Sequence, residues 1–476
     1  MSQLTDDCLN EIFEYLEDDK LALLSCILVN RSWCEGSVKI FWKDMRNYCT
    51  SNFNTLIDCL PNESKEILYK NGIVISNPTF KFPAFNYASF CKVLLIYQVY
   101  SKIEQLILNQ QTISSKNLDI NTHIVAQEIF KMFMKQVTSL RILVFYPISN
   151  ISFNLYPGAK DCLKNLSELH CNSCISSEFF YQLSQICFNI QSFTICFEEI
   201  ISNGLVDLIS VQRNVKCLNM KLYDAITIIS LTNIISKHSN TITKLCVSGN
   251  RQLIPLSFIT NFSNLQELKL SSDCLDFEKL QYTIFPQLQV LKIEERILSV
   301  ELLEKFLKNN GKNLKEICIG DHLLICSNNS LNLAIAKFCP KLRKLSTGIK
   351  NNELETLKII FNNCKNLESI KIWCGSNYLS EREALEAVTK YSQNIYELIL
   401  YQLNGPVHFE LLPEELESFF ISWTNRKSQK SLSLIIIKNN FNVNGLDKNY
   451  ENIKIINKYI KLGVIKKFKL IDFEYK

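Results

Sequence analysis

Cysteine and histidine are the residues of this chain whose types and spacing could do chemistry. His170-Cys171-x-x-Cys174 is a ligand-like cluster, with Cys187 and Cys196 downstream. A structural zinc needs four such groups converging, usually from two close pairs. Cys171 also falls on a position that the repeat described below directs into a core, so no metal site is assigned. A thiolate nucleophile needs a base or a helix N-terminus beside it to lower its pKa. The five histidines are His123, His170, His238, His322 and His408, and none forms a Cys/His or Ser/His pair with a recognisable local signature. Gly-x-x-x-x-Gly-Lys and Gly-x-Gly-x-x-Gly are both absent, so no nucleotide-cradling loop is evident. The expectation is a non-enzyme without catalytic residues or cofactors.

The elements that would position any functional residue are set by a repeat. From about residue 100 onward one phrase recurs: leucine, two residues, leucine or isoleucine, one residue, and another aliphatic. It runs from Leu140-x-x-Leu143-x-Phe145 through Leu166-x-x-Leu169-x-Cys171 and Leu265-x-x-Leu268-x-Leu270 to Ile395-x-x-Leu398-x-Leu400. Eleven phrases fit, their starts 23 to 28 residues apart, which is the period of a leucine-rich repeat. Ile103-x-x-Leu106-x-Leu108 reads as a first repeat, Leu416-x-x-Phe419-x-Ile421 as a late one and Ile465-x-x-Phe468-x-Leu470 as the last. The segments between phrases read as helices. Ser380-x-x-Glu383 is a capping box ahead of Ala384, Ala387, Val388 and Tyr391, and Leu331, Ala334, Ile335 and Phe338 repeat that stripe. Strand, turn and helix per repeat predict a curved stack, parallel strands concave and helices convex.

Alternate residues of a strand point oppositely, so the positions flanking the inward aliphatics face the concave side. Lys269, Ser271, Lys292, Glu294, Cys318, Ser346 and Lys371 would then make a mostly polar middle. Trp373, Ile399, Tyr401 and Phe420 occupy equivalent or adjacent columns and are the candidate target-binding residues, since exposed aromatic clusters anchor partners. The competing reading is that the C-terminal tail folds over them.

The N-terminus has a different pattern. Leu9, Ile12, Phe13 and Leu16 lie on one face of a first helix that opens with Asp6 and Asp7 after a Thr5 cap. A second helix follows Asp18-Asp19, with Leu21, Leu24 and Leu28 inward. A third starts near Asn30 or Ser32, where Ser32-Trp33-Cys34-Glu35 fits a capping box, and ends in Val38, Ile40, Phe41 and Trp42. So small a unit has little interior, and part of this apolar surface needs a partner.

The order of these residues resembles the F-box: Leu4-Thr5, Ile12-Phe13 with Leu16, Asp19-Lys20-Leu21, Val29-Asn30-Arg31-Ser32-Trp33 and Phe41-Trp42. Thr5 stands where proline is usual and Asn30 where cysteine is usual. The match covers about a tenth of the chain. Cysteine three residues before the phrase, at Cys187, Cys339 and Cys364, likewise resembles the cysteine-containing class of leucine-rich repeat found in many F-box proteins. The resemblance implies a substrate-recognition subunit of a Skp–cullin–F-box ubiquitin ligase. A Skp-family adaptor, and through it a cullin, would be bound by Leu4, Leu9, Ile12, Phe13, Leu16, Leu24, Val29, Trp33 and Trp42, and an unidentified target protein by the repeats. The alternative is a non-ligase interaction scaffold using the same array.

Composition bounds the rest. The 476 residues exceed one ordinary core, and 47% hydrophobic with 21% charged excludes wholesale disorder. No apolar run reaches the ~18 to 20 residues that cross a bilayer, and residues 1–30 lack a signal-peptide pattern. The expectation is an intracellular protein, cytoplasmic or nuclear, whose nineteen cysteines are mostly reduced, buried thiols and whose Asn165-Leu166-Ser167 is unglycosylated. A formal charge of +5 is too mild for a phosphate-backbone stripe, which argues against nucleic acid. Lys454, Lys458, Lys461, Lys466, Lys467 and Lys469 read as a solvated basic face. The fold class expected is α/β: a three-helix F-box over 1–48, a helical connector and solenoid N-cap over 49–100 and a leucine-rich-repeat solenoid with a C-terminal cap over 101–476.

Overall fold

A computed structural model of the chain describes residues 5–73, 83–110, 115–146, 155–198, 200–222, 232, 235–249, 256–271, 277–294, 299–320, 328–375, 377–403, 411–426, 430–438 and 446–472. Leu4, His322 and His408 lie outside the described residues. The chain divides into two compact units, Met1–Lys221 and Leu222–Lys476.

The first unit begins with α1 (Asp6–Tyr15), α2 (Lys20–Ile27) and α3 (Arg31–Phe41), each started by a side chain that takes up an orphan backbone N–H: Thr5 accepts from Cys8, Asp19 from Ala22 and Asn30 from Trp33. Asn30 therefore caps α3, and Ser32 lies inside its first turn rather than before it. α4 (Thr50–Asp58) and α5 (Asn62–Lys70) occupy the expected connector. The first strand, β1 (Val93–Leu95), lies there as well, earlier than expected. Ile103-Leu106-Leu108 is not a strand. It belongs to α6 (Ile96–Gln110), which packs on α7 (Ser115–Gln136) as the helical half of the first repeat. An i, i+3 step puts two aliphatics on one helix face as readily as it fits the phrase.

β1 is followed by β2 (Ile142–Phe145), β3 (Glu168–Asn172), β4 (Ser192–Phe197) and β5 (Cys217–Leu222). β1 to β4 pair in parallel in chain order, setting Leu94, Leu143, Leu169 and Phe193 in one row. The second unit continues with β6 (Lys244–Gly249), β7 (Glu267–Ser271), β8 (Val290–Ile293), β9 (Glu316–Ile319), β10 (Lys344–Thr347), β11 (Ser369–Cys374), β12 (Glu397–Gln402), β13 (Leu432–Lys438) and β14 (Ile465–Asp472). Each pairs in parallel with the next. All eleven phrases fall on β2 to β12, and their inward positions are buried throughout. Leu416-x-x-Phe419-x-Ile421 is instead a turn of the helix Pro413–Thr424, whereas Ile465-x-x-Phe468-x-Leu470 is β14. One strand, one turn and one helix recur, with strands stacked in parallel on their predecessors. This is leucine-rich-repeat architecture.

A ladder of side chains registers the repeats. Cys187 Sγ donates to the carbonyl of Leu163 at 3.1 Å, Gln212 Nε2 to that of Cys187 at 2.8 Å and Cys364 Sγ to that of Cys339 at 3.4 Å. Donor and acceptor each sit three residues before their own phrase. Burial pushes the Cys187 thiol up to about 12 and the Cys364 thiol to about 11, which keeps both protonated and able to donate.

Candidate functional site

Of the N-terminal helices α1 and α3 are amphipathic and α2 is apolar nearly all round, and their packing decides which anchors are available. On α1, Leu9 and Phe13 point inward; Phe13 is fully buried, edge-on to Trp33 at 5.5 Å between ring centroids. α3 approaches that ring closely because Gly36 has no side chain: a Cβ there would lie 2.5 Å from a Phe13 ring carbon. On α2 the inward residues are Leu23 and Cys26, not Leu21, Leu24 and Leu28. With Asp19 as the cap, the helical rotation turns those three leucines outward. Leu21 is 77% and Leu28 86% exposed, and Ile12, Tyr15, Leu24 and Val29 are exposed beside them in the chain.

Trp42 is internal. It packs on Tyr48 at 4.8 Å and on Tyr87 at 4.6 Å, and Tyr48 Oη donates to its carbonyl at 2.5 Å. Lys43 pairs with Glu17 at 3.0 Å, and Asp44 forms a parallel bridge to Val93, so the end of α3 is stitched to β1. The adaptor candidates therefore separate by role. Leu9 and Phe13 fill the interior between the helices together with Leu23, Val38 and Phe41, while Trp42 anchors the end of α3 on Tyr48 and Tyr87. Leu16 and Trp33 are half-buried, and Ile12, Leu24 and Val29 are presented to solvent. An open groove of about 850 Å³ runs between α1 and α3, lined in part by Asn10, Arg31, Glu35 and Lys39.

In the second unit the strand register brings the expected polar residues together. Lys269, Lys292, Cys318, Ser346 and Lys371 form one row across β7 to β11. Most charges in it are paired: Lys269 with Glu294 at 2.7 Å, Lys292 with Glu316 at 2.8 Å and, one column over, Lys244 with Glu267 at 3.6 Å. Burial acts to lower the Lys292 ammonium, and Glu316 reverses this and leaves it above its ordinary value. Lys371 stands over the Tyr401 ring at 4.5 Å, and burial holds it below its ordinary value.

The aromatic residues expected to offer an open patch do not. Trp373 and Tyr401 form a buried cluster with Tyr378 and Leu403, closed by Ile437. The indole lies across Gly320 and Gly348 on the two preceding repeats, where any Cβ would collide with it. Phe420 is on a helix, fully buried and stacked on Tyr459 at 4.6 Å, so residues of the tail do cover it. Of the four candidates only Ile399 is half-exposed.

No family model matches the chain, and no curated protein matches it. Among solved structures, a chain from the crystal structure of the Rad7 and Elc1 complex in yeast is similar at 14% identity and TM-score 0.40, covering 93% of this chain and 94% of that one.

The remaining candidates for chemistry are dispersed. His170 Nε2 lies 2.5 Å from Glu168 Oε1 and, chiefly by that hydrogen bond, holds the carboxyl below its ordinary value. Cys171 is in the core, while Cys174 is exposed beside Glu198. Among the described residues, no three His, Cys, Asp or Glu side chains are grouped to hold a metal, and no helix is long and apolar enough to cross a membrane. Leu21, Leu28 and Tyr15 are the surface residues that sequence reasoning missed. The signal was an excess: Leu21, Leu23 and Leu24 within an eight-residue helix, with Leu28 as its C-cap, are more leucines than one face can bury.

Proposed function

We propose that this chain is the target-recognition subunit of an SCF-type ubiquitin ligase. Its three-helix module docks a Skp-family adaptor, which carries the cullin, and its repeats hold the protein to be modified. The observation that carries the reading is the exposed apolar set on α1, on α2 and in the turn after α2, Ile12, Leu21, Leu24, Leu28 and Val29, in a module whose residue order is F-box-like. A helical cap folded onto the rest of the chain would bury these side chains. Leu21 and Leu28, the most exposed, each forgo up to roughly 1.5 to 3 kcal/mol relative to full burial and the others a fraction of that, which a partner helix would recover. The chain makes no bond itself; it raises the local concentration of target lysines near the ubiquitin-charged enzyme. Target contact falls to the charged strand face around Lys269, Lys292, Glu294 and Glu316, with Ile399 at its apolar end.

The test uses exposed positions, so that loss of binding is not loss of fold. Ile12→Asp with Leu24→Asp should abolish co-purification of the adaptor while circular dichroism and the melting profile stay as in the parent chain. Retained adaptor binding sinks the reading. If the adaptor binds but reconstitution with a cullin yields no ubiquitinated target, the chain is a non-ligase scaffold on the same module.

A further inference from the structure

β14 breaks the pattern that every other strand of the second unit obeys. β13 lies on one side of it, and no strand lies on the other among the described residues. Half the peptide N–H and C=O groups of such a strand point away from its only neighbour. The register sets Phe468 beside Leu434 and Leu470 beside Ile436, so both continue the inward columns. Leu434 and Ile436 are fully buried, yet Phe468 is half-exposed and Leu470 is 46% exposed. An eight-residue strand thus presents core-type side chains on one face.

Its other face is basic. Lys467 and Lys469 point to the strand face with Ile471 beyond them, and Lys466 and Lys461 are exposed nearby. Lys454 and Lys458 are paired with Glu451 and Glu417. Lys461, Lys466, Lys467 and Lys469 have no carboxylate partner among the described residues, and Asp472 is the only acid on the strand.

We propose that β14 is a docking edge that takes an extended acidic segment of a partner protein as an added strand. Alternation in such a segment places one set of side chains, apolar, over Phe468 and Leu470. The other set, carboxylates, stands against Lys467 and Lys469, where opposite charges across strands are favourable. A second copy of this chain is a poor occupant, because β14 against β14 opposes lysines to lysines and like charges across strands repel. This proposal is independent of the adaptor reading and survives its failure.

The test is fluorescence anisotropy with the full chain and a labelled octapeptide alternating valine and glutamate. Saturable binding is expected, weakened about tenfold by Lys467→Glu with Lys469→Glu and several-fold when salt is raised from about 50 to about 300 mM. N-methylation of alternate peptide nitrogens should abolish it, since the backbone donors are then gone. Both lysines are exposed, so a melting profile matching the parent chain confirms that the variant folds. Four results would each overturn the proposal: absence of saturable binding, equal affinity for a valine–lysine peptide, unchanged affinity after N-methylation, or unchanged affinity in the double variant. Sedimentation showing a dimer that the same substitutions dissolve would assign the edge to a second copy instead.

Discussion

Glu381 is a single residue at which burial alters proton affinity. It opens the helix Glu381–Tyr391 one position after the Ser380 cap, where a carboxylate would ordinarily be solvated. Here Gln402 Nε2 donates to one of its oxygens at 2.6 Å and the Leu446 N–H to the other at 3.0 Å. The side chains of the ion pair Lys438 with Asp447 are also largely withdrawn from solvent. Burial pushes the Glu381 carboxyl up to about 7, against the two hydrogen bonds, and Asp447 adds to the rise. A carboxyl with a raised folded pKa binds more protons folded than unfolded. Its contribution is therefore greatest below the ordinary carboxylate range and is lost as pH climbs from about 4.5 to about 7, by on the order of 3 kcal/mol at most. Glu381→Gln should flatten the fall of the urea midpoint between about pH 5 and pH 7.5; an undiminished slope in the variant refutes the assignment. The serine and glutamate of the capping box were legible in the chain, whereas the covering of Glu381 was not, because Leu446 and Asp447 arrive from far along the chain. Trp373 was misread for a related reason. Alternation correctly sends it to the strand face, but two glycines in the same column, Gly320 and Gly348, let the indole lie flat and bury itself there.

Among the elements, the approach of α3 to α1 is a close one. Gly36→Val would force branched carbons into the Phe13 ring, and overpacking of this kind costs about 1 to 3 kcal/mol. Limited proteolysis should cut the first three helices of that variant several-fold faster than the parent; equal rates would show that the helices separate freely. The inner strands were readable because their inward positions are aliphatic at a fixed spacing. β1 and β13 escaped since Cys91 and Ser431 hold the place of the first aliphatic, the registers Leu94 with Leu143 and Leu398 with Leu434 fixing those positions. The phrases at Ile103 and Leu416 misled because a helix meets the same first step. The exposed apolar face proposed for the adaptor was half legible. Amphipathicity marked α1, but α2 is apolar nearly all round, so the choice between Leu23 and Leu24 as the inward residue depends on a helical rotation set by the Asp19 cap.

At the scale of the whole molecule, composition was a sound guide to the state of sulfur. Every described cysteine is a free thiol, and most are in or near the core. The unfolding midpoint should be the same with and without a strong reductant. A fall on reduction would reveal a disulfide and change the expected compartment. Length and period likewise announced an array of repeats, since a chain of this size needs either several cores or one that propagates.

The ladder that registers the array has a direction. Cys187, Gln212 and Cys364 each donate to a carbonyl one repeat nearer the N-terminus, so every acceptor has left the ribosome before its donor is made. Growth of the fold can then keep pace with translation, each new repeat finding its dock already built and exposing only one unfinished edge at a time. The geometry therefore permits assembly in the order of synthesis.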